Sequence, residues 1–203
     1  MLAGYHFNRM ILAQKTTKLF MSRKVVLVNE KDQELGTADI YVAHQNGGLK
    51  HRALSVILYR HLNGKLELLH QKRASAKPVF KDLWSNTCCT NMRPGDTYLP
   101  RAVSRLDEEM GIKVTEEHLR ILYSFSYEAE DTTQPGWGEN ELDTVIAGEW
   151  DGEVHANPDE ASAYKWIEWE NLKQDIKKYP STYSPWHKMI VRDQRFVEAI
   201  YES

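Results

Sequence analysis

Six short runs rich in β-branched and aromatic residues constrain this chain most: Val25–Asn29, Leu54–Tyr59, Lys65–His70, Arg120–Ala129, Leu142–Glu149 and Ala163–Trp169. They are bounded by turn residues such as Asn63-Gly64 and Asp151-Gly152, so they read as strands. Between the third and fourth the period changes. Leu99, Ala102, Val103, Leu106 and Met110 recur at near-helical spacing, with Pro100 near the start and Gly111 just past the end. That helix leaves Arg101, Arg105 and Glu108 on its other face. Further helices are expected over Glu170–Lys178 and Pro185–Tyr201, the second carrying Trp186, Met189, Ile190, Val197 and Ile200. Strands around one central helix, with helices at the end, predict an α/β (α+β) fold, a mixed β-sheet sandwiched between helices.

At 203 residues, 41% hydrophobic and 27% charged, the chain suits one compact domain with a full core, over residues 21–203. Residues 1–20 form an N-terminal extension with Arg9, Lys15 and Lys18 and no acid. Two readings stay open for it: a transit-like segment, or sequence upstream of a start at Met21. A net charge of −3 supplies no general drive toward nucleic acid or anionic membrane, so an anionic ligand is expected to be small. No apolar run approaches the roughly 20 residues that span a bilayer, since charges such as Arg60 and Lys65 interrupt the longest. Cys88 and Cys89, the only cysteines, are adjacent and fit neither a disulfide framework nor a zinc knuckle. A reducing cytoplasm is the expected location.

From Thr90 to Ile112 the chain reads T-N-M-R-P-G-D-T-Y-L-P-R-A-V-S-R-L-D-E-E-M-G-I. This resembles the Nudix box, whose carboxylates hold divalent ions against a diphosphate. The second half, Leu106 to Ile112, fits well. In the first half Thr90 stands for the glycine, Asp96 for a glutamate and Ser104-Arg105 for Arg-Glu, so Arg105 puts a cation where an acid is expected. In order along the chain come His44-Gln45-Asn46-Gly47-Gly48-Leu49-Lys50-His51, Gln71 to Lys77, Leu83-Trp84-Ser85-Asn86-Thr87-Cys88-Cys89, Glu139-Asn140-Glu141 and Tyr183-Ser184-Pro185-Trp186. Together these segments resemble the type I isopentenyl diphosphate isomerases, the branch of the Nudix fold that shifts a double bond in a five-carbon diphosphate.

The resemblance implies that Cys89 is a catalytic acid/base. A cysteine beside cations is expected to have a lowered pKa and to exchange protons near neutrality. Cys88 should point the other way, as neighbours in an extended segment do. Glu139 and Glu141, two apart, share one face of a strand. By the resemblance both ligate a divalent ion, Mn²⁺ or Zn²⁺, with His44 and His51, and Glu141 sits across the substrate from Cys89. The family has a further histidine where this chain has Asn91, a poorer ligand, and a lysine where it has Ile40. Glu109 is implied to hold Mg²⁺ on the diphosphate, with Arg73, Lys77 and Arg105 neutralising phosphate. Tyr127 and Trp186 would surround the hydrocarbon tail, Tyr127 orienting Glu141 and Trp186 offering a π face to a carbocation; Trp84 reads as structural. The expected partner is a small isoprenoid diphosphate. Two rivals remain: a Nudix hydrolase of a nucleoside or other diphosphate, for which losing part of the acidic set counts against, and an inert phospho-ligand-binding module, which has no use for an acid/base pair.

Overall fold

The computed structural model describes residues 23–201, so the extension over residues 1–20 lies outside the described residues. Strands β1 (Lys24–Val28) and β2 (Glu34–Asp39) form an antiparallel ribbon, followed by the short helix α1 (Ile40–Ala43). Strand β3 (His51–Leu62) is central. It pairs antiparallel with β4 (Lys65–Arg73) and β6 (Cys88–Asn91), and parallel with β8 (Gly138–Glu149). Beyond β4 lie β5 (Trp84–Ser85) and β9 (Ala161–Glu168), and β7 (Arg120–Glu130) pairs antiparallel with β8. One nine-stranded mixed sheet results.

Side chains alternate across this sheet and make a core on each face. Leu54, Val56, Leu58 and Cys88 pack against helix α2 (Tyr98–Met110) through Ala102, Leu106 and Met110. Ile57, Tyr59, Leu68 and Val145 pack on the opposite face, against helices α3 (Trp169–Lys178), α4 (Pro185–Arg192) and α5 (Gln194–Tyr201). The sheet is therefore sandwiched between helices, as the alternation of elements predicts. Helix α2 stops at Gly111, whose φ of 62° is left-handed and whose absent Cβ would lie 2.6 Å from the His155 carbonyl oxygen.

Four local expectations need correction. Arg101 and Arg105, expected on the face of α2 away from its buried stripe, are themselves buried. The helix expected over Pro185–Tyr201 breaks at Asp193, which is extended and accepts the Arg195 N–H on its own side chain at 3.0 Å, an N-cap that restarts the chain as α5. Strand β8 begins at Gly138, so it includes both Glu139 and Glu141. Trp169 opens helix α3 instead of ending β9. No helix among the described residues is long and apolar enough to cross a membrane.

Candidate active site

The site is assembled on the α3–α5 face by three adjacent strands. Glu141 of β8 lies between His51 of β3 and Tyr127 of β7 as their direct cross-strand neighbour. Glu139 shares its face, two residues earlier. His44 is delivered separately, at the C-cap of α1, where its Nδ1 is 2.6 Å from the Ile40 carbonyl oxygen; His51 Nδ1 is likewise 2.7 Å from that of Leu49. Each carbonyl holds a proton on Nδ1 and leaves Nε2 to face the carboxylates. His44 Nε2 is 2.8 Å from Glu139 Oε2, and His51 Nε2 is 3.4 Å from Glu141 Oε1.

One donor atom from each of His44, His51, Glu139 and Glu141 lies within 4.8 Å of the others, and all four residues are buried. Glu139 Oε2 has no hydrogen bond of proper alignment, despite its short approach to His44. A buried oxygen left so, among two imidazole nitrogens and a second carboxylate, fits a divalent cation. The electrostatics agree. Burial acts to lower the His44 pKa, but the neighbouring Glu139 and Glu141 charges outweigh it and raise it to about 9. Burial likewise works to raise the Glu139 pKa, yet His44 brings it below the usual carboxylate range. Glu141 moves up, through burial and then the charge of Glu139. A cavity of ≈ 410 Å³ lined by Gly47, Ala129, Trp137 and Gly138 opens beside Glu139.

Glu141 also accepts the Tyr127 hydroxyl at 2.6 Å and the Asn91 amide at 3.0 Å, so both its oxygens act as acceptors. Asn91 and Cys89, two apart on β6, face the same way, while Cys88 is buried against α2. Arg73 Nη1 donates to Cys89 Sγ at 3.5 Å; its other nitrogens are taken by the Val79 and Phe80 carbonyls, and its guanidinium stands 5.1 Å from the Trp186 ring centre. The loop that offers those carbonyls is held by Asp131, which accepts the Phe80 N–H at 2.7 Å while Phe80 adopts a φ of 50°. Trp186 is fixed by its Nε1–H donating to Asn86 Oδ1 at 2.9 Å, and packs against Phe80 and Tyr127. The Leu83–Cys89 segment thus supplies Cys89 and also the anchor for Trp186.

A second charged group lies at the C-terminal half of α2. Glu109, fully buried, accepts from Gln71 Nε2 at 2.8 Å, from Lys77 Nζ at 3.4 Å and from Arg105 Nη2. Glu160, just before β9, receives the same Lys77 ammonium and lies 3.4 Å from Arg105.

The Nudix domain model matches residues 49–188. The chain is 39% identical over 166 residues to isopentenyl-diphosphate Delta-isomerase 2 of Aromatoleum aromaticum, covering 82% of this chain and 83% of that protein. It is 37% identical to the isopentenyl-diphosphate Delta-isomerase of Halorhodospira halophila, over 84% of this chain and 94% of that protein. The chain belongs to the isopentenyl-diphosphate Delta-isomerases of the Nudix family. A solved structure from Deinococcus radiodurans, 19% identical, superposes with a TM-score of 0.64 over 83% of this chain and 97% of that one, which agrees on the fold.

In this isomerase the residues expected around the divalent ion, His44, His51, Glu139 and Glu141, converge, and Asn91 joins them through its amide nitrogen. As placed, Asn91 Nδ2 sits 2.9 Å from His51 Nε2 and donates where a ligand would offer a lone pair. Lys77, Arg105 and Glu109 converge in the second group, whereas Arg73 stands apart from it, at Cys89. Ile40 sets the His44 ring through its backbone carbonyl. The protein's own groups act against the expected lowering of the Cys89 pKa: burial, only partly offset by Arg73, pushes the thiol up to about 12. Gln71 opens the Gln71–Lys77 segment but was given no role there, and Glu160 was passed over, its only signal being its meeting with Lys77 and Arg105 in space.

Proposed function

We propose that this isomerase interconverts isopentenyl diphosphate and dimethylallyl diphosphate by an allylic proton shift, as a step of isoprenoid biosynthesis. The observation that carries the reading is the position of Glu141, which belongs to the buried four-residue cluster, accepts the Tyr127 hydroxyl, and shares with Cys89 the sheet face against which Trp186 of α4 packs. Such a site offers one proton donor and one acceptor to opposite sides of a small apolar tail. The Cys89 thiol, kept protonated by burial, gives its proton to the terminal alkene carbon. Glu141, with both oxygens accepting hydrogen bonds and its pKa raised, takes a proton from the carbon next to the one bearing diphosphate oxygen. The reverse reaction exchanges the two roles. Between the transfers a tertiary cation faces the Trp186 ring, where a desolvated cation–π contact contributes about 2 kcal/mol. Burial of Trp186 and Tyr127 keeps water from capturing it.

The His44, His51, Glu139 and Glu141 donors would hold Mn²⁺ or Zn²⁺, and Glu109 would hold Mg²⁺ brought with the diphosphate. These ions supply charge neutralisation and fix the carboxylates when bound. Lys77 and Arg105 bind phosphate oxygens by charge-assisted hydrogen bonds, and Arg73 orients Cys89 and the inner phosphate.

The test is incubation of isopentenyl diphosphate with the protein and Mg²⁺ in deuterated water, followed by NMR and a phosphate assay. Deuterium should enter the carbon skeleton, including the new methyl group, with the diphosphate intact and with labelling abolished in Glu141→Gln. Phosphate or pyrophosphate release without label would identify a hydrolase and return Cys89 to a structural role.

A further inference from the structure

Glu160 is a carboxylate that this chemistry leaves unused. Its carbonyl accepts the Ala74 N–H at 3.0 Å, and its own N–H donates to the Asn157 carbonyl at 3.0 Å. Asn157 N–H donates in turn to the Glu109 carbonyl at 2.9 Å. These backbone ties hold Glu160 between the loop after β4 and the last turn of α2. Its Oε2 takes the Lys77 ammonium and stands 3.4 Å from Arg105 Nη2, the same two nitrogens that reach Glu109 Oε1. Arg105 is further engaged at 2.6 Å by Glu108. Arg101, the next basic residue on α2, is committed to Thr90 at 2.9 Å and towards Asp96 at 3.4 Å, and stands 3.9 Å from Glu108.

Lys77 and Arg105 thus face Glu109 and Glu160, with Arg101 also set against Glu108, so the group carries no positive surplus for a phosphate. A bare diphosphate must displace Glu160 from Lys77 and Arg105 while its own charge is repelled by Glu109 and Glu160. A diphosphate carrying a divalent cation brings the charge that the carboxylates can receive. We propose that Glu160 is a specificity-determining residue, which occupies Lys77 and Arg105 as a stand-in for phosphate, so that the site admits a diphosphate only as its divalent-metal complex. The inference rests on the reading of Lys77, Arg105 and Glu109 as the diphosphate site.

The experiment is calorimetric titration of the full chain with inorganic pyrophosphate, once in EDTA and once in excess Mg²⁺, for wild type, Glu160→Gln and Glu160→Asp. Removing one partly exposed charge beside the ligand is worth about tenfold. Glu160→Gln should therefore tighten binding about tenfold in EDTA and less than about threefold in Mg²⁺. Glu160→Asp keeps the charge and should bind pyrophosphate in EDTA as weakly as wild type. Equal gains in both media, no gain, or a gain in Glu160→Asp as large as in Glu160→Gln would overturn the inference and leave Glu160 as a scaffold for its loop. Loss of folded Glu160→Gln, seen by circular dichroism, would overturn it for the same reason. Wild type that fails to bind pyrophosphate even in Mg²⁺ would instead remove the diphosphate-site reading beneath it.

Discussion

Cys88 and Cys89 are chemically identical and adjacent, yet β6 turns them to opposite sides of the sheet, and the consequences of removing each should separate cleanly. Cys88 is fully buried among Leu54, Leu106 and Met110. Cys88→Ala deletes one sulfur from that core, a loss comparable to removing a buried methyl group, about 1 kcal/mol. For a chain of this length that lowers Tm by about 2–4 °C. Its kcat should stay within about tenfold of wild type. Cys89 is partly exposed on the face of Glu141, and Cys89→Ser preserves its shape, so stability should change by less than about 0.5 kcal/mol. The proton-transfer group, however, is gone. A positioned general acid contributes at least about a hundredfold, so kcat should fall by that factor, about 2.7 kcal/mol of barrier. Conversion of isopentenyl diphosphate followed by NMR gives kcat, and a thermal melt gives Tm for each variant. Equal losses of kcat in the two variants would refute the assignment of Cys89, because a shared fall would point to damage of the strand and not to a lost proton.

Asn91→His places an imidazole where the carboxamide now lies 2.9 Å from His51 Nε2 and 3.0 Å from Glu141 Oε1, so it should hold a divalent ion at least about tenfold longer against a chelator. Unchanged retention in a folded variant would mean that residue 91 does not reach the ion. Next to Trp186 on α4, His187 Nε2 meets His70 Nε2 at 2.8 Å in the core, and burial lowers the His70 pKa to about 3 from an ordinary 6.5. The unfolded chain then binds more protons than the folded one between those values, so stability is complete above pH 6.5 and falls as pH drops, by up to about 1.4 kcal/mol per pH unit for one such group. A His70→Leu, His187→Met double variant should flatten the denaturant midpoint against pH over that range, and an unaltered slope would show that other groups carry the acid sensitivity.

Much of this fold was legible because its signals are local. Leu99, Ala102, Leu106 and Met110 mark the buried stripe of α2, and Gly111 ends it for a steric reason that the His155 carbonyl makes concrete. Strand β2 left no such mark, since Glu34–Thr37, Leu35 among them, are exposed and the strand pairs only with β1 at the sheet edge, where no core imposes an alternation. Strand β6 was hidden by its brevity. At the site, the motifs named His44, His51, Glu139 and Glu141 through resemblance, but the contest between desolvation and charge at Cys89 is decided by tertiary packing. A nearby cation predicts a lowered thiol pKa; the burial that wins comes from residues remote in sequence. Glu160 was silent for the same reason, being joined to Arg105 only after the chain has folded.

The register of three strands explains why residues so far apart act as one group. His51 and Tyr127 are both paired with Glu141, one across a parallel ladder and the other across an antiparallel ladder, so the imidazole, the carboxylate and the phenol fall in one line across the sheet. Because side chains alternate along a strand, a slip of one residue in β8 would carry Glu139 and Glu141 together to the α2 face, among Leu54, Leu106 and Met110. Two carboxylates in that apolar layer, without His44 and His51 opposite them, would be far costlier than in their present place. The same slip would bring Ile146 out of the α2-side core and leave Val145 facing it. The second half of β8 is apolar on both faces, so the register is set by the placement of the ionisable first half together with the fit of Val145 and Ile146 to their two cores. The core of the fold and the chemistry of the site are two readings of one strand.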